Sequence, residues 1–296
     1  MRIAIIGAPI DYGAARRGVD MGCSAIRYAG LQAGLQHLGH DVVDMGNVQV
    51  TLAEQGDAGD PRLKHLAEIL DANESLAGLI GSARADGRFP LVLGGDHSIA
   101  LGTIAAGARD RALGVIWVDA HGDFNTSNTS PSGNIHGMPL AAACGLGDRR
   151  LVDLGYPGPK LDPRHVAIVG VRSLDDHEKG LLRAQGVAVF TMHQIDRQGM
   201  ERVMAQALQI AGTDTEGILA SVDLDVLDPR EAPGVGTPVP GGISYREAHL
   251  SMEILADAGN LVALDLVEVN PILDRENSTA QLAAELAWSA LGKRIY

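Results

Sequence analysis

The chain has 296 residues, with 24 Lys and Arg against 37 Asp and Glu, so its formal net charge is −13. That length fits one large α/β domain or two small ones, and it can bury a sizeable core. The acidic balance, with a pI near 5.1, disfavours a nucleic-acid backbone or an anionic membrane as partner, though it tolerates a cationic substrate. The two cysteines, Cys23 and Cys144, lie far apart in sequence. They read as small buried apolar residues rather than as a disulfide or a reactive thiol. No apolar run reaches membrane-spanning length, and residues 2–6 enter a strand pattern with no targeting layout before them. A cytoplasmic location is expected.

In chain order, strand-like runs fall at residues 3–6, 41–44, 90–93, 115–118, 166–171, 187–191, 218–222 and 261–267. Helical patterns lie between most of them. The clearest is Met200, Val203, Met204, Ala207 and Leu208, spaced to share one face of a helix. Its methionines read as core filler, not metal ligands. Strand alternating with helix predicts a mostly parallel sheet covered on both faces. About eight strands leave a closed barrel and an open doubly wound sheet both possible, and periodicity does not choose between them. Residues 55–61 read as a polar surface loop. Residues 7–13 hold glycines in neither phosphate-binding nor dinucleotide-binding spacing, so turn chemistry is expected there.

Three of the strands run straight into ionisable groups. Residues 94–98 read GGDHS, residues 119–123 DAHGD, and residues 221–229 SVDLDVLDP. Asp223 and Asp225 are two residues apart, so an extended backbone points them the same way. Burying such carboxylates together is costly, because each loses hydration and each repels the others. Two divalent cations balance Asp119, Asp123, Asp223 and Asp225, with His97 and His121 as neutral imidazole ligands. Oxygen-rich ligation with some imidazole and no thiolate suits Mn²⁺ better than structural zinc. Asp96 and Asp228 read as supporting or turn residues. His37, His40, His65, His165, His177, His193 and His249 fall outside the grouping and read as surface or core residues.

GGDHS, DAHGD and SVDLDVLDP together resemble the signature blocks of the arginase, or ureohydrolase, family. The stretch SGNIHGMP at residues 132–139 resembles the arginase branch of it. So do GVDMG at 18–22, GVRSLD at 170–175, GVGTP at 234–238 and VEVNP at 267–271. The resemblance runs along essentially the whole chain. Cys23 departs from it, standing where proline is usual. The resemblance implies a single open-sheet, three-layer α/β domain over residues 1–296, assembled as a homo-trimer or homo-hexamer. It implies two Mn²⁺ per subunit. The first would be held by His97, Asp119, Asp123 and Asp223, and the second by His121, Asp119, Asp223 and Asp225.

The implied activity is hydrolysis of L-arginine to L-ornithine and urea by a hydroxide bridging the two manganese ions. A protonated guanidinium is a poor electrophile, so a concentrated nucleophile is needed. Asp123 is placed to hydrogen-bond the nucleophile. His136 suits the proton that the leaving amine requires. Glu268, at the end of the last strand, can pair the guanidinium nitrogens and orient the carbon. Thr237 resembles a residue near the guanidinium end. Asn125, Ser130, Ser132 and Asn134 are donors for an α-carboxylate, and Asp175, with Glu178 through water, suits an α-ammonium. Agmatine has neither group, so another guanidino hydrolase such as agmatinase is the nearest alternative. A single-zinc amide hydrolase and a catalytically inert metal-bound homologue are the more distant ones.

Overall fold

The computed structural model describes residues 1–14, 16–51 and 56–296. Its strands are β1 (Arg2–Ala8), β2 (Asp41–Asn47), β3 (Phe89–Gly94), β4 (Gly114–Val118), β5 (Val166–Val171), β6 (Ala188–Thr191), β7 (Ile218–Asp223) and β8 (Leu261–Val267). They form one eight-stranded sheet in the order β2-β1-β3-β8-β7-β4-β5-β6. Every pairing is parallel. β2 and β6 are edges, so the sheet is open and the barrel is excluded. Each strand lies on a run expected from sequence. The runs were legible because strands covered on both faces are apolar almost throughout. β3, β4, β5 and β7 are buried at every position.

Alternate side chains along a strand enter opposite layers. Leu91, Leu93, Ile116, Val118, Ala220, Val222, Leu264 and Leu266 share one core with residues from helices Gly22–Tyr28, Met200–Gly212, Tyr245–Ala258 and Ser278–Ala290. Val92, on the other face, packs with helices Leu66–Ala85 and Ala100–Gly107. Val115, Trp117, Ile168 and Leu219 pack with Ala100, Ile104 and Leu140. Met200, Val203, Met204 and Ala207 are buried in the first of these cores, as filler. Cys23 and Cys144 are free and buried. Burial pushes both thiols up to about 12, which removes thiolate chemistry at neutral pH. Cys23 lies in the first turn of helix Gly22–Tyr28, a position where proline fits equally well.

Residues 56–61 of the expected surface loop are mostly exposed, while Gln55 lies outside the described residues. Residues 7–13 do more than turn the chain. A Cβ on Gly95 would lie 1.8 Å from the carbonyl oxygen of Ile10, so only glycine allows this segment to press on the turn after β3. The Gly13 carbonyl accepts from the backbone N–H of His136. The segment is thus a prop for the site.

Candidate active site

The strand order sets β3, β8, β7 and β4 side by side in the middle of the sheet. Each carries a candidate residue at its carboxyl end: His97 just after β3, Glu268 after β8, Asp223 at the end of β7, and Asp119 after β4. The crevice outside the carboxyl ends is where open α/β sheets place their ligands.

Around His97 the carboxylates close in. Its Nδ1 lies 3.2 Å from Asp119 Oδ2, 3.2 Å from Asp123 Oδ2 and 3.4 Å from Asp223 Oδ2. None of these contacts has hydrogen-bond geometry, so Nδ1 is a fully buried nitrogen ringed by oxygen and without a bond partner. His121 Nδ1 lies 3.0 Å from Asp225 Oδ2 and 3.4 Å from Asp119 Oδ1. Two groups can therefore hold a cation: His97, Asp119 and Asp223, and Asp119, His121 and Asp225. Within each, one donor atom per residue lies within 4.8 Å of the others. Asp119 belongs to both. An orphaned imidazole nitrogen among carboxylate oxygens fits divalent cations, with no thiolate in either group. Asp123 touches the first group, and Asp223 enters the first but not the second.

The close packing of these groups shifts their proton affinities. Burial opposes charge on both imidazoles, but the carboxylates outweigh it. His121 is pushed up to about 12 and His97 well above the usual imidazole range. Burial and like-charged neighbours raise Asp223 well above its ordinary value and Asp123 to about 6. Asp123 also sits at φ 46°, a left-handed backbone that costs a non-glycine residue about 1 kcal/mol or more.

Beneath the ligands runs a row of side chains that sequence reading missed. Trp117 on β4, Ser221 on β7 and Asp265 on β8 are register partners across the sheet. The Trp117 indole N–H donates to Asp119 Oδ2 at 2.8 Å, and its ring stacks on His97 at 3.9 Å. His97 Nε2 meets Ser221 Oγ at 2.9 Å, and that hydroxyl donates to Asp265 Oδ2 at 3.3 Å. Ser221 must then accept from Nε2–H, which leaves the Nδ1 lone pair for a cation. Arg172 is the other omission. Its guanidinium donates to the carbonyls of Asp225, Val226, Leu227, Gly170 and Val239 and so clamps the turn carrying Asp225. A strand-embedded Asp or an Arg within a loop gave no local signal of either role.

Asp96 and Asp228 organise turns. Asp96 accepts from the N–H groups of Ser98 and Gly13, and Asp228 from those of Arg230 and Gly241.

Next to the ligands opens a cleft of ≈ 240 Å³, lined by the buried Asp123 and Asp223, the half-buried His121 and His136, and Ser130 and Ser132 towards solvent. Asn125, Asn134, Asp175, Glu178 and Thr237 line it too, with Ser173 added. His97, Asp119, Asp225 and Glu268 lie behind this lining, each at most 1 % exposed. Glu268 Oε1 accepts from the His97 backbone N–H at 3.0 Å and meets His136 Nδ1 at 3.1 Å. Its Oε2 is buried and unpartnered. Burial works against a charged His136, but the bond and charge of Glu268, with Asp123 and Asp96, carry it to about 9.

On the polar wall, Ser130 Oγ accepts from Gly133 N–H and Ser132 Oγ from Asn134 N–H. Asp175 caps helix Asp176–Gln185 and accepts from Asn125 Nδ2 at 2.8 Å. One amide proton of Asn125 is therefore already used. Its Oδ1 is buried and unpartnered, which suits a ligand N–H better than a carboxylate. Glu178 accepts from Phe124 N–H, and burial raises its carboxyl to about 7. Thr237 donates to Asp225 Oδ2 at 3.0 Å.

Known proteins resemble this chain in sequence and in fold. Residues 1–292 match the family model described as "Arginase family". An arginase of Brevibacillus brevis is 54% identical over 294 residues, covering 99% of this chain and 98% of the relative. The solved arginase of Bacillus caldovelox is 52% identical, with a TM-score of 0.97 over 100% of this chain and 99% of that one. The arginase of Entamoeba histolytica, solved in complex with L-ornithine, is 32% identical, with a TM-score of 0.90 and 99% of each chain covered. With identity this high along its whole length, and the same fold around the ligand cluster, the chain belongs to the arginase family.

Proposed function

We propose that this protein hydrolyses L-arginine to L-ornithine and urea, with two Mn²⁺ held by His97, His121, Asp119, Asp123, Asp223 and Asp225. One observation carries the reading. A single cleft joins a buried cluster of carboxylates and imidazoles to a wall bearing partners for both an α-carboxylate and an α-ammonium. When bound, the two cations supply the Lewis acidity that makes water a nucleophile near neutral pH.

The chain's own residues do the rest. Glu268 offers its unpartnered Oε2 to the guanidinium, and its other oxygen holds His136 in place. Fixing the guanidinium carbon close to the nucleophile removes much of the entropic barrier. Water adds to that carbon, the bond to the substrate's own nitrogen breaks, and the departing amine takes up a proton. His136, at about 9, carries a proton at neutral pH and lines the cleft, so it is the donor. Asp123, at about 6, is placed to accept a hydrogen bond from the nucleophile. Asp175 and Glu178 hold the α-ammonium, and Ser130, Ser132 and Asn134 the α-carboxylate. A cytoplasmic homo-trimer or homo-hexamer completes the proposal. Among the described residues no helix is long and apolar enough to cross a membrane.

The test is urea release from L-arginine and agmatine, side by side, on apo protein reloaded with Mn²⁺. L-Arginine is expected to be the preferred substrate by a large factor. Preference for agmatine would overturn the substrate assignment, and one tightly bound Zn²⁺ per chain would overturn the metal assignment.

A further inference from the structure

The cleft is rich in carboxylates, and an amino-acid substrate must lodge one more in it. Asp123, Asp175, Glu178 and Asp223 line it, and Asp119, Asp225 and Glu268 stand just behind. The donors expected for that carboxylate, Ser130, Ser132 and Asn134, are neutral, and each hydroxyl or amide contributes only a local dipole. Lys64 stands beside this wall. Lys64 Nζ donates to Asn134 Oδ1 at 3.2 Å, and no described carboxylate forms an ion pair with it. The backbone holds the pair together: Lys64 N–H donates to the Gly133 carbonyl at 3.1 Å. At Gly133, φ is 70°, and a Cβ there would lie 1.9 Å from the Pro61 carbonyl oxygen. The loop before helix Leu66–Ala85 and the loop before His136 are thus pressed into one unit.

We infer that Lys64 is the positioning residue that makes this wall accept a carboxylate, acting through Asn134. An asparagine amide presents an acceptor on one side and two donors on the other. The ammonium takes Oδ1, so Nδ2 must point away from Lys64. Asn134 Nδ2 has no hydrogen bond to any described residue, and Asn134 lines the cleft. Without Lys64 the amide can turn over and show its oxygen to the substrate carboxylate, converting attraction to repulsion. The inference rests on the arginine reading and adds to it what lets the cleft distinguish arginine from a guanidino compound lacking the carboxylate.

The experiment compares Lys64→Met and Lys64→Arg with the parent protein, all loaded with Mn²⁺. It reads KM and kcat for L-arginine, and the inhibition constant of agmatine against arginine hydrolysis. Lys64→Met is expected to raise the arginine KM about tenfold, the size of one lost charge-assisted contact. It should leave kcat and the agmatine constant within about twofold, and Lys64→Arg should restore most of the loss. The inference is overturned if the arginine KM stays put in Lys64→Met. It is overturned equally if arginine and agmatine weaken together, the pattern of a wall that has lost its structure. A parent protein that releases no urea from L-arginine would defeat the arginine reading itself, a result visible before either variant is made.

Discussion

Asp265 shows how a single residue outside the cleft can govern it. It is fully buried, bonded to Ser221 through one oxygen and unpartnered at the other. Burial holds its carboxyl at about 7, above the ordinary aspartate value of 3.8. A folded-state pKa raised in this way favours the protonated form. The stability it contributes is complete below about 3.8 and is lost as pH rises through about 7. Asp265→Asn cannot ionise. The apo variant is therefore expected to be more stable than the apo parent at pH 8, by an amount on the order of a few kcal/mol, and the gap should narrow towards pH 4. The same change weakens the pull of Ser221 on His97. Mn²⁺ affinity at the His97 group should fall about 10- to 100-fold, the usual range for such supporting bonds. Calorimetric titration and thermal melts read the two effects separately. A variant that matches the parent in both would remove Asp265 from this role.

Among the elements, the segment after β7 depends most on its surroundings. Asp223 accepts from Asp225 N–H at 2.7 Å, which tightens the chain into the 3₁₀ turn Leu224–Val226 and aims both carboxylates at one region. That turn is buried, so its carbonyls need partners. Arg172, on the loop after β5, supplies them from a single planar group. Arg172→Ala is expected to cost roughly 2–4 kcal/mol, because several buried acceptors lose their donor at once. Thermal melting should fall by several degrees. The variant should bind Mn²⁺ less well at the His121 and Asp225 group than at the His97 group. Arg172→Lys should recover little, since an ammonium offers three donors and no fork. An unchanged melting temperature in Arg172→Ala would show that the turn holds its shape unaided.

On the scale of the whole molecule, the centre of the sheet is a store of charge awaiting cations. The surrounding carboxylates raise His97 and His121, and burial with like charge raises Asp223, so all three favour holding a proton. Divalent ions must displace those protons, so their affinity rises with pH. Mn²⁺ at a hundredfold excess over its dissociation constant stabilises a folded protein by about 2.7 kcal/mol. The melting temperature should rise on adding Mn²⁺, fall back with a chelator, and shift more at pH 8.5 than at pH 6.5. Equal shifts at the two pH values would mean that the cluster is not the site of binding.

Local chemistry along the chain was enough to determine where the strands lie and which residue types end them. A buried parallel strand is apolar throughout, and ionisable groups at its end stand out against it. The tertiary structure alone decided that β8 enters between β3 and β7, which brings His97, Glu268, Asp223 and Asp119 to neighbouring strand ends. It also decided that Trp117, Ser221 and Asp265 fall in one row beneath them, and that Lys64 meets Asn134. These are contacts between residues up to well over a hundred positions apart. Strand order and register create them, and neither is written in the neighbourhood of any one residue.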